Sequence, residues 1–427
     1  MVAGRHSTAN RLKTQAQVTA LPPREPTVDD VEFRALYKKT KYVVETADGW
    51  SLVITRYKPN PQTTWNQPLY GEPMLLVHGF SQNRHAWTSG EFVKNLLFFG
   101  LDIHILELRG HGKSSVALQH ERAAKFSRSP PADIAWDWDI DSYFLYDIPA
   151  AVAGVRRITR RDRIFYCGHS MGGILGYGYA GIHDDHFEGI VTIGAPAELG
   201  KGSLPLKLLA MAGPGLGAAV DSTLGALNAQ RGLSHLTQSL LARLQKRDAP
   251  TSPKDLEFRY LPIDSWLKTL ASTLDYAEQN PMLSMVASRV NWLARQDRMA
   301  SSDLRWLLRE AGAKEPRKVA EQFLKWIRNN EIYCYRTGYD FKRGFQKIKV
   351  PMAIIFGDAD PLASVESTRS VYRSAKSEYL LWRPVKGNSH IEVTMGHDVR
   401  QICYDIKNLV EYARTHRNRA PSLPRIR

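Results

Sequence analysis

The chain has 427 residues, of which 43% are hydrophobic and 24% are charged, so it is long enough for one elaborated domain with a substantial insertion. Three scattered cysteines are too few for a disulfide framework and form no metal-binding spacing with histidine. The formal net charge is +15, but there is no zinc-finger spacing and no basic run interleaved with stacking aromatic residues, which argues against nucleic-acid binding.

The first 30 residues are rich in polar residues and proline and contain no apolar segment typical of a secretory signal. We therefore predict a flexible N-terminal arm over residues 1–40. The most apolar later segment, residues 206–220, is short for a membrane span and is broken by glycine and proline. These patterns predict a cytoplasmic protein without a signal peptide or transmembrane segment.

Eight apolar runs are predicted as strands, and from the third onward they alternate with helical patterns. They lie at residues 41–45, 52–57, 74–78, 102–107, 163–167, 190–193, 352–356 and 379–382. This alternation indicates an α/β fold with a mostly parallel eight-stranded sheet and helices on both faces. The first two runs flank Asp48-Gly49 and are predicted as an antiparallel hairpin at one edge. In such a sheet the active site lies at the carboxyl ends of the strands.

About 150 residues between the sixth and seventh runs contain no predicted strand, which is more than a crossover needs. We predict an inserted helical cap at residues 198–349, which divides the core into residues 41–197 and 350–414. Residues 303–310 have a helical composition, and Val319, Phe323 and Ile327 form an apolar stripe.

Four tryptophans fall within the predicted cap: Trp266, Trp292, Trp306 and Trp326. Each is expected to pack within the cap or against the core, and together they suggest an apolar roof for an apolar ligand.

Basic residues are concentrated at the C-terminal end of the sequence. We predict a basic tail at residues 415–427. The arginines in this tail and directly before it are Arg414, Arg417, Arg419, Arg425 and Arg427. Together with the positive net charge, these residues lead to the hypothesis of weak association with anionic membrane surfaces. No nucleic-acid partner is predicted.

Ser170 lies in the pattern G-x-S-x-G, between an apolar strand and a helix-compatible run of small residues. This context is typical of a nucleophile elbow, in which a strained strand-to-helix turn lifts the serine hydroxyl above the sheet. Gly168 and Gly172 carry no side chains, so the neighbouring backbones can approach closely. The alternative is that these glycines only make a tight connection. The flanking patterns favour Ser170 as a nucleophile.

A serine nucleophile needs a histidine to accept its proton and a carboxylate to orient that histidine. Asp358 and Asp360 both follow the seventh predicted strand, where the acid is expected. We favour Asp360, because Asp358 is better placed to cap the turn locally. His390 follows the last strand and is predicted as the base, whereas His397 precedes a charged helix and is expected to face solvent.

Acyl transfer also requires two N–H donors for the developing oxyanion. We predict the backbone amides of Met171, directly after the nucleophile, and of Phe80, in the loop after the third strand. His78 is interpreted as a structural residue of that loop. The glycine-containing turn at residues 109–114 lacks phosphate-binding spacing and is also interpreted as structural. No cofactor and no metal ion is predicted.

From about Tyr42 to Tyr412, the chain resembles the α/β-hydrolase superfamily. Several stretches are similar to the acid lipase family, at residues 46–49, 78–80, 141–143, 146–150, 322–326, 357–363 and 388–390. The resemblance implies the same triad and oxyanion donors: Ser170, Asp360, His390, Phe80 and Met171. Acid lipases usually carry glutamine where this chain has Met171. A weaker similarity to polyhydroxyalkanoate synthases extends to the large cap, but their nucleophile is cysteine.

The sequence therefore predicts a lipase- or esterase-like serine hydrolase that cleaves small-molecule or lipid carboxylic esters of apolar acyl groups through an acyl-enzyme on Ser170. One alternative is an acyltransferase or thioesterase that uses the same triad. Another is a non-hydrolytic member of the superfamily, such as a cofactor-free oxygenase or a binding scaffold. Acyl-chain length, the alcohol moiety and oligomeric state are not indicated by these patterns.

Overall fold

In the computed structural model, residues 28–64, 66–201, 260–277 and 294–417 are described. Eight strands of these ranges form one sheet. They are β1 (Tyr37–Glu45), β2 (Ser51–Pro59), β3 (Pro73–Val77), β4 (Asp102–Glu107), β5 (Ile164–His169), β6 (Phe187–Ile193), β7 (Met352–Gly357) and β8 (Leu380–Val385). All eight predicted strands are thus confirmed, with ends that differ by a few residues.

The order of the strands in the sheet is β1-β2-β4-β3-β5-β6-β7-β8. β1 and β2 form an antiparallel hairpin at one edge, and β2 also pairs antiparallel with β4. The remaining pairs are parallel. Gly49 has a φ of +92° in the hairpin turn, a conformation that favours glycine. The predicted α/β-hydrolase architecture and its edge hairpin are confirmed.

Nine longer helices lie in the described ranges. They are α1 (Phe92–Phe98), α2 (Val116–Lys125), α3 (Ile148–Thr159), α4 (Met171–Ala180), α5 (Ile263–Ala277), α6 (Ser301–Trp306), α7 (Arg317–Asn329), α8 (Val365–Ser374) and α9 (Val399–His416). Short α-helices lie at Pro61–Thr64, His85–Thr88, Ile140–Ser142 and Phe341–Gly344, and π-helical segments at Tyr143–Asp147 and Leu307–Ala311. None of the described helices has the length and apolar character needed to cross a membrane.

The central strands are buried on both faces, as the apolar runs predicted. In β5, Ile164 and Tyr166 belong to one hydrophobic cluster, whereas Phe165 and Cys167 belong to the cluster on the other face. Successive side chains of a strand point to opposite faces, so β5 contributes to both halves of the core. The rigid central sheet therefore fixes the position of the residues that follow β5.

The insertion between β6 and β7 is helical in α5, α6 and α7, and helix formation near residues 303–310 is confirmed by α6 and the π segment that follows it. Contrary to the prediction of no strands, it also contains two antiparallel pairs of two-residue strands. Tyr260–Leu261 pairs with Glu315–Pro316, and Tyr333–Cys334 pairs with Tyr339–Asp340. Two residues are too few to produce a recognisable alternation.

The tryptophans of the insertion differ in burial. Trp326 on α7 is fully buried, whereas Trp266 and Trp306 are 46% and 37% exposed. Trp292 and the apolar segment at residues 206–220 lie outside the described residues. Of the described tryptophans, Trp326 has the buried core position that was expected, and Trp306 packs edge-on against His85, with ring centroids 4.9 Å apart.

The two ends of the described chain are bound to the core. β1 begins at Tyr37, within the range predicted as an arm. At the other end, Arg414 Nε lies 3.1 Å from Glu72 Oε1, and Arg417 Nη2 lies 2.7 Å from Glu72 Oε2. Arg417 also contacts Glu188 at 3.2 Å. Two of the arginines assigned to the basic C-terminal end thus pair with carboxylates, while residues 418–427 lie outside the described residues.

A buried ion cluster ties the edge hairpin to the core. The guanidinium of Arg109 lies 2.6 Å from Asp48, 2.9 Å from Asp133 and 2.7 Å from Asp147. Arg109 and Asp147 are fully buried, so these contacts replace their hydration. The turn after β4 is structural, as predicted, because its arginine joins three separate segments.

The three cysteines of the chain, Cys167, Cys334 and Cys403, are buried and free. Burial raises the pKa of all three thiols above the ordinary value. No disulfide links these three cysteines.

Candidate functional site

Ser170 lies in the turn between β5 and α4, at the carboxyl end of the central strand. Its backbone has a φ of 50° and a ψ of −118°, a strained conformation for a residue with a side chain. A Cβ atom on Gly172 would lie 2.3 Å from the carbonyl oxygen of Val77, and one on Gly168 would lie 2.4 Å from Gly172. The two glycines thus permit the close backbone approach that was predicted for the elbow.

His390, in the loop after β8, reaches over the sheet to the serine. Its Nε2 atom lies 2.9 Å from Oγ of Ser170, and its Nδ1 atom lies 2.8 Å from Oδ2 of Asp360. Asp360 and His390 are buried, with 3% and 5% of their surface exposed. The structure therefore brings together the three predicted triad residues in a continuous hydrogen-bonded chain, which can move a proton from the serine hydroxyl.

The two candidate acids in the loop after β7 have different hydrogen-bond partners. Oδ1 of Asp360 accepts the backbone N–H groups of Leu362 and Ala363 at 2.7 and 3.0 Å, which leaves Oδ2 for His390. Asp358 is exposed and accepts the amide of Gly387 at 2.6 Å. This bond joins the turn after β7 to the turn after β8, so it is not the local cap that was predicted for Asp358.

The loop at residues 79–82 follows β3 and packs directly on the serine. A Cβ atom on Gly79 would lie 3.0 Å from Cβ of Ser170. Within the described residues, the backbone amides of Phe80 and Met171 donate no hydrogen bond, so both are available to an oxyanion. Met171 is the first residue of α4, where the helix dipole adds positive potential.

Two histidines, His78 and His169, contact this loop. His78 Nε2 accepts the amide of Leu108 at 3.2 Å, and its Nδ1 lies 2.9 Å from the carbonyl oxygen of Gly79, which agrees with a structural role. His169 Nε2 lies 3.1 Å from the carbonyl oxygen of His390. Burial, followed by the nearby His111, lowers the pKa of His78 to about 3. Burial, followed by the nearby His390, lowers the pKa of His169 to about 3 as well. His397 is exposed, as expected.

Sequence reasoning missed Glu315, a fully buried carboxylate from the insertion. Its Oε2 accepts the amide of Ser81 at 2.7 Å and lies 3.1 Å from Nε2 of His111. Its Oε1 accepts the hydroxyl of Tyr143 at 2.6 Å. Burial opposes protonation of His111, but the Glu315 carboxylate outweighs it and raises the pKa of His111. A single glutamate before a proline gives no sequence signal of these contacts.

A chamber of about 560 Å³ opens above Ser170 and His390. Its roof is aliphatic and comes from α5, α6 and the π segment after α6. The roof residues are Ile263, Leu267, Leu270, Leu304, Leu307, Leu308 and Ala311. Trp266, Trp306 and Trp326 do not line the chamber, so these three tryptophans do not form the expected roof, although an apolar roof is present. The chamber can exclude water and accommodate an apolar chain.

One group in the described ranges has the side chains of a metal site. Ligand atoms of His183, Asp185 and His186 lie within 4.8 Å of one another. These residues follow α4, whose first residue adjoins Ser170, so the helix separates the group from the serine by ~15 Å. This group therefore takes no part in the site around Ser170.

The comparisons with known proteins agree with this fold. A family model described as alpha/beta hydrolase fold matches residues 72–390, a range that includes the donor loop, Ser170, Asp360 and His390.

Three curated relatives match shorter segments. A probable lipase of Schizosaccharomyces pombe is 28% identical over 156 residues, which are 35% of this chain and 32% of the relative. Lipase lipl-1 of Caenorhabditis elegans is 26% identical over 156 residues, 35% and 36% of the two chains. Human lysosomal acid lipase/cholesteryl ester hydrolase is 23% identical over 141 residues, 33% and 34%. The matched segment thus spans about a third of the length of each relative.

Proposed function

Because this chain belongs to the family of the alpha/beta hydrolase fold, we propose that it is a lipase- or esterase-like serine hydrolase that cleaves carboxylic esters of apolar acyl groups. The observation that carries the proposal is the chain of contacts from Ser170 Oγ through His390 to Asp360, at 2.9 and 2.8 Å, at the floor of an apolar chamber. The similarity to proteins named lipases supports the same class of substrate.

Acylation begins when Oγ of Ser170 attacks the ester carbonyl carbon while Nε2 of His390 takes the hydroxyl proton. Asp360 keeps Nδ1 of His390 protonated in the ground state and stabilises the imidazolium that forms. The amides of Phe80 and Met171 stabilise the negative charge on the carbonyl oxygen. Collapse of the tetrahedral intermediate breaks the ester C–O bond, and His390 gives its proton to the leaving alcohol.

Deacylation repeats these steps with water as the nucleophile. His390 takes a proton from water as the oxygen attacks the acyl carbon, and the second tetrahedral intermediate forms at the same amides. Its collapse breaks the bond to Ser170 Oγ, which regains the proton. The products are one alcohol and one carboxylic acid for each ester and water consumed.

The acyl chain occupies the chamber beneath α5 and α6 in this proposal. The lining there is aliphatic, so burial of each methylene contributes to binding without a requirement for a polar partner. Residues 198–349 act as the cap, whose described helices exclude bulk water from the acyl-enzyme. The substrate is accordingly a lipid or a small-molecule ester.

The proposal is tested with a fluorophosphonate probe and a panel of p-nitrophenyl esters of increasing chain length. We expect labelling and turnover by the native protein, and the loss of both in Ser170→Ala. Ser272→Ala is the matched control, because Ser272 is exposed on α5 and its hydroxyl donates to the carbonyl oxygen of Lys268 in the same helix.

A native protein that neither reacts with the probe nor hydrolyses any ester of the panel would overturn the proposal. Product analysis with a competing alcohol separates hydrolysis from acyl transfer, since a transferase gives a new ester instead of free acid.

A further inference from the structure

We propose that Glu315 is a positioning residue, which holds the loop at residues 79–82 in the conformation that presents the Phe80 amide to the reacting carbonyl. The inference rests on the function proposed above, because it concerns the oxyanion donors of that reaction. It also implies that the roof of the chamber and the donor loop move as one unit.

The donor loop contains a strained residue. Ser81, directly after Phe80, has a φ of 57°. A left-handed conformation is unfavourable for a serine, because its Cβ approaches the following carbonyl oxygen. The peptide between Phe80 and Ser81 therefore needs contacts from elsewhere to keep its orientation.

Glu315 supplies the first of these contacts. Its Oε2 accepts the N–H of Ser81, the amide adjacent to Phe80, at 2.7 Å. Tyr143 and His111 hold the same carboxylate from the core, at 2.6 and 3.1 Å. The glutamate is fully buried and bound from three sides, so it acts as a fixed acceptor rather than a mobile surface charge.

The segment before Glu315 supplies the other contacts. The Ser81 hydroxyl donates to the carbonyl oxygen of Ala313 at 2.5 Å, and the Ala313 amide donates to the carbonyl oxygen of Ser81 at 2.8 Å. The Asn83 amide donates to Ala311 at 3.0 Å, and Gln82 forms a β-bridge with Gly312. Residues 81–83 are therefore paired along their length with residues 311–313.

This pairing joins the loop to the roof. Ala311 lines the chamber and ends the π segment Leu307–Ala311, whose leucines also line it. Phe80 packs edge-on against Phe323 of α7, with ring centroids 5.6 Å apart. A displacement of the roof would therefore remove hydrogen bonds that keep the Ser81 backbone in its strained conformation.

The experiment uses the full chain with the substitution Glu315→Gln. This change preserves the side-chain volume but replaces the carboxylate that interacts with Ser81, His111 and Tyr143 by a neutral amide. Hydrogen exchange of a peptide spanning residues 79–83 is measured beside kcat and KM for a short p-nitrophenyl ester. We expect exchange in this peptide to rise about tenfold, as a charged hydrogen bond is lost. We expect kcat to fall about 10- to 100-fold, with KM within about twofold, because misplaced donors act on the transition state.

Two variants complete the test. Glu321→Gln is the matched control, since Glu321 is exposed on α7 and pairs with Arg317, and both readouts should match those of the native protein. Tyr143→Phe removes one donor to Glu315 and leaves the loop residues intact, so we expect a smaller change in the same direction. It supplies the test if Glu315→Gln does not fold.

Native exchange at residues 79–83 together with native kcat in the folded variant would overturn the proposal. An exchange increase spread over the whole sheet, with kcat reduced only by the unfolded fraction, would also overturn it, because that result describes a purely structural residue. If the native protein hydrolyses no ester, the function proposed above fails, while the exchange measurement still decides whether Glu315 holds the loop.

Discussion

Nδ1 of His390 and Oδ2 of Asp360 lie 2.8 Å apart, in a contact that the neighbouring aspartate, Asp358, does not share. Asp360 is buried and further oriented by two backbone amides, whereas Asp358 is exposed. The two residues are separated by one position in the sequence and have different surroundings, which makes them a matched pair for mutagenesis.

Asp360→Asn is expected to lower kcat for a p-nitrophenyl ester by about 10⁴-fold, because an amide at this position stabilises the wrong tautomer of His390. Asp358→Asn should retain nearly all activity, and circular dichroism should show both variants folded. Loss of activity in Asp358→Asn with retention in Asp360→Asn would reverse the assignment of the acid.

The aliphatic chamber predicts a dependence on acyl-chain length. Each methylene that enters it should contribute about 0.8 kcal/mol, or about fourfold in kcat/KM, until the space is filled. Leu270→Phe should shorten the preferred chain, as measured with a series of p-nitrophenyl esters. Trp266→Ala is the control on the same helix, because Trp266 does not line the chamber. An unchanged preference in Leu270→Phe would argue that the chain binds elsewhere.

Acid should destabilise the fold through its buried neutral histidines. The pKa of His78 is lowered to about 3 by burial, against 6.5 in the unfolded chain, so the unfolded state binds more protons between these values. The contribution of His78 to stability is therefore complete above pH 6.5 and is lost as pH falls towards 3, by about 1.4 kcal/mol per pH unit.

This dependence is measured by urea denaturation at several pH values between 7.5 and 4. His78→Gln should show a shallower loss of unfolding free energy with falling pH. The exposed residue His397 serves as the control, and His397→Gln should follow the native slope. Equal slopes for all three proteins would contradict the prediction.

Arg109→Met should lower the free energy of unfolding by about 3–5 kcal/mol, because it leaves buried carboxylates without their counterion. The Asp147 carboxyl, whose pKa is raised to about 6 mainly by burial, is the most affected partner. Arg343→Met, at a side chain that is 85% exposed, should change stability by less than about 0.5 kcal/mol. Denaturant titration of the two variants provides the comparison, and similar values would exclude a stabilising role for the cluster.

The sheet and the proximity of Ser170, Asp360 and His390 were predictable because each depends on local patterns. Ser170 follows β5 directly, Asp360 lies three residues after β7 and His390 lies five residues after β8. The carboxyl ends of parallel strands meet at one edge of the sheet. Asp358 could also be distinguished from Asp360, the aspartate that contacts His390, because it lies closer to the strand end. Sequence reasoning therefore succeeded wherever short-range order determines position in space.

The roof was less predictable, because composition does not specify which face of a helix is buried. Tryptophans suggested the roof, yet Trp266 is nearly half exposed and does not line the chamber, whereas Ile263, Leu267 and Leu270 do. These three aliphatic residues are spaced i, i+4 and i+7 on α5, so helical periodicity is a better guide than side-chain size.

Glu315 was not predictable from local patterns. The hydrogen bond between Ser81 and Glu315 joins residues 234 positions apart. When its partners are unknown, a single buried glutamate cannot be distinguished in the sequence from a glutamate on the solvated surface. Such contacts depend on how the insertion folds back on the sheet, which no short motif encodes.

The buried thiols give this protein three internal reporters of opening. A thiol reagent reacts with the thiolate, and the burial that raises the pKa of each cysteine also excludes the reagent from the native state. Cys167 lies in the central strand, Cys334 in the insertion and Cys403 in the last helix. The order in which they become modified under mild denaturation would therefore show whether the insertion detaches before the sheet unfolds.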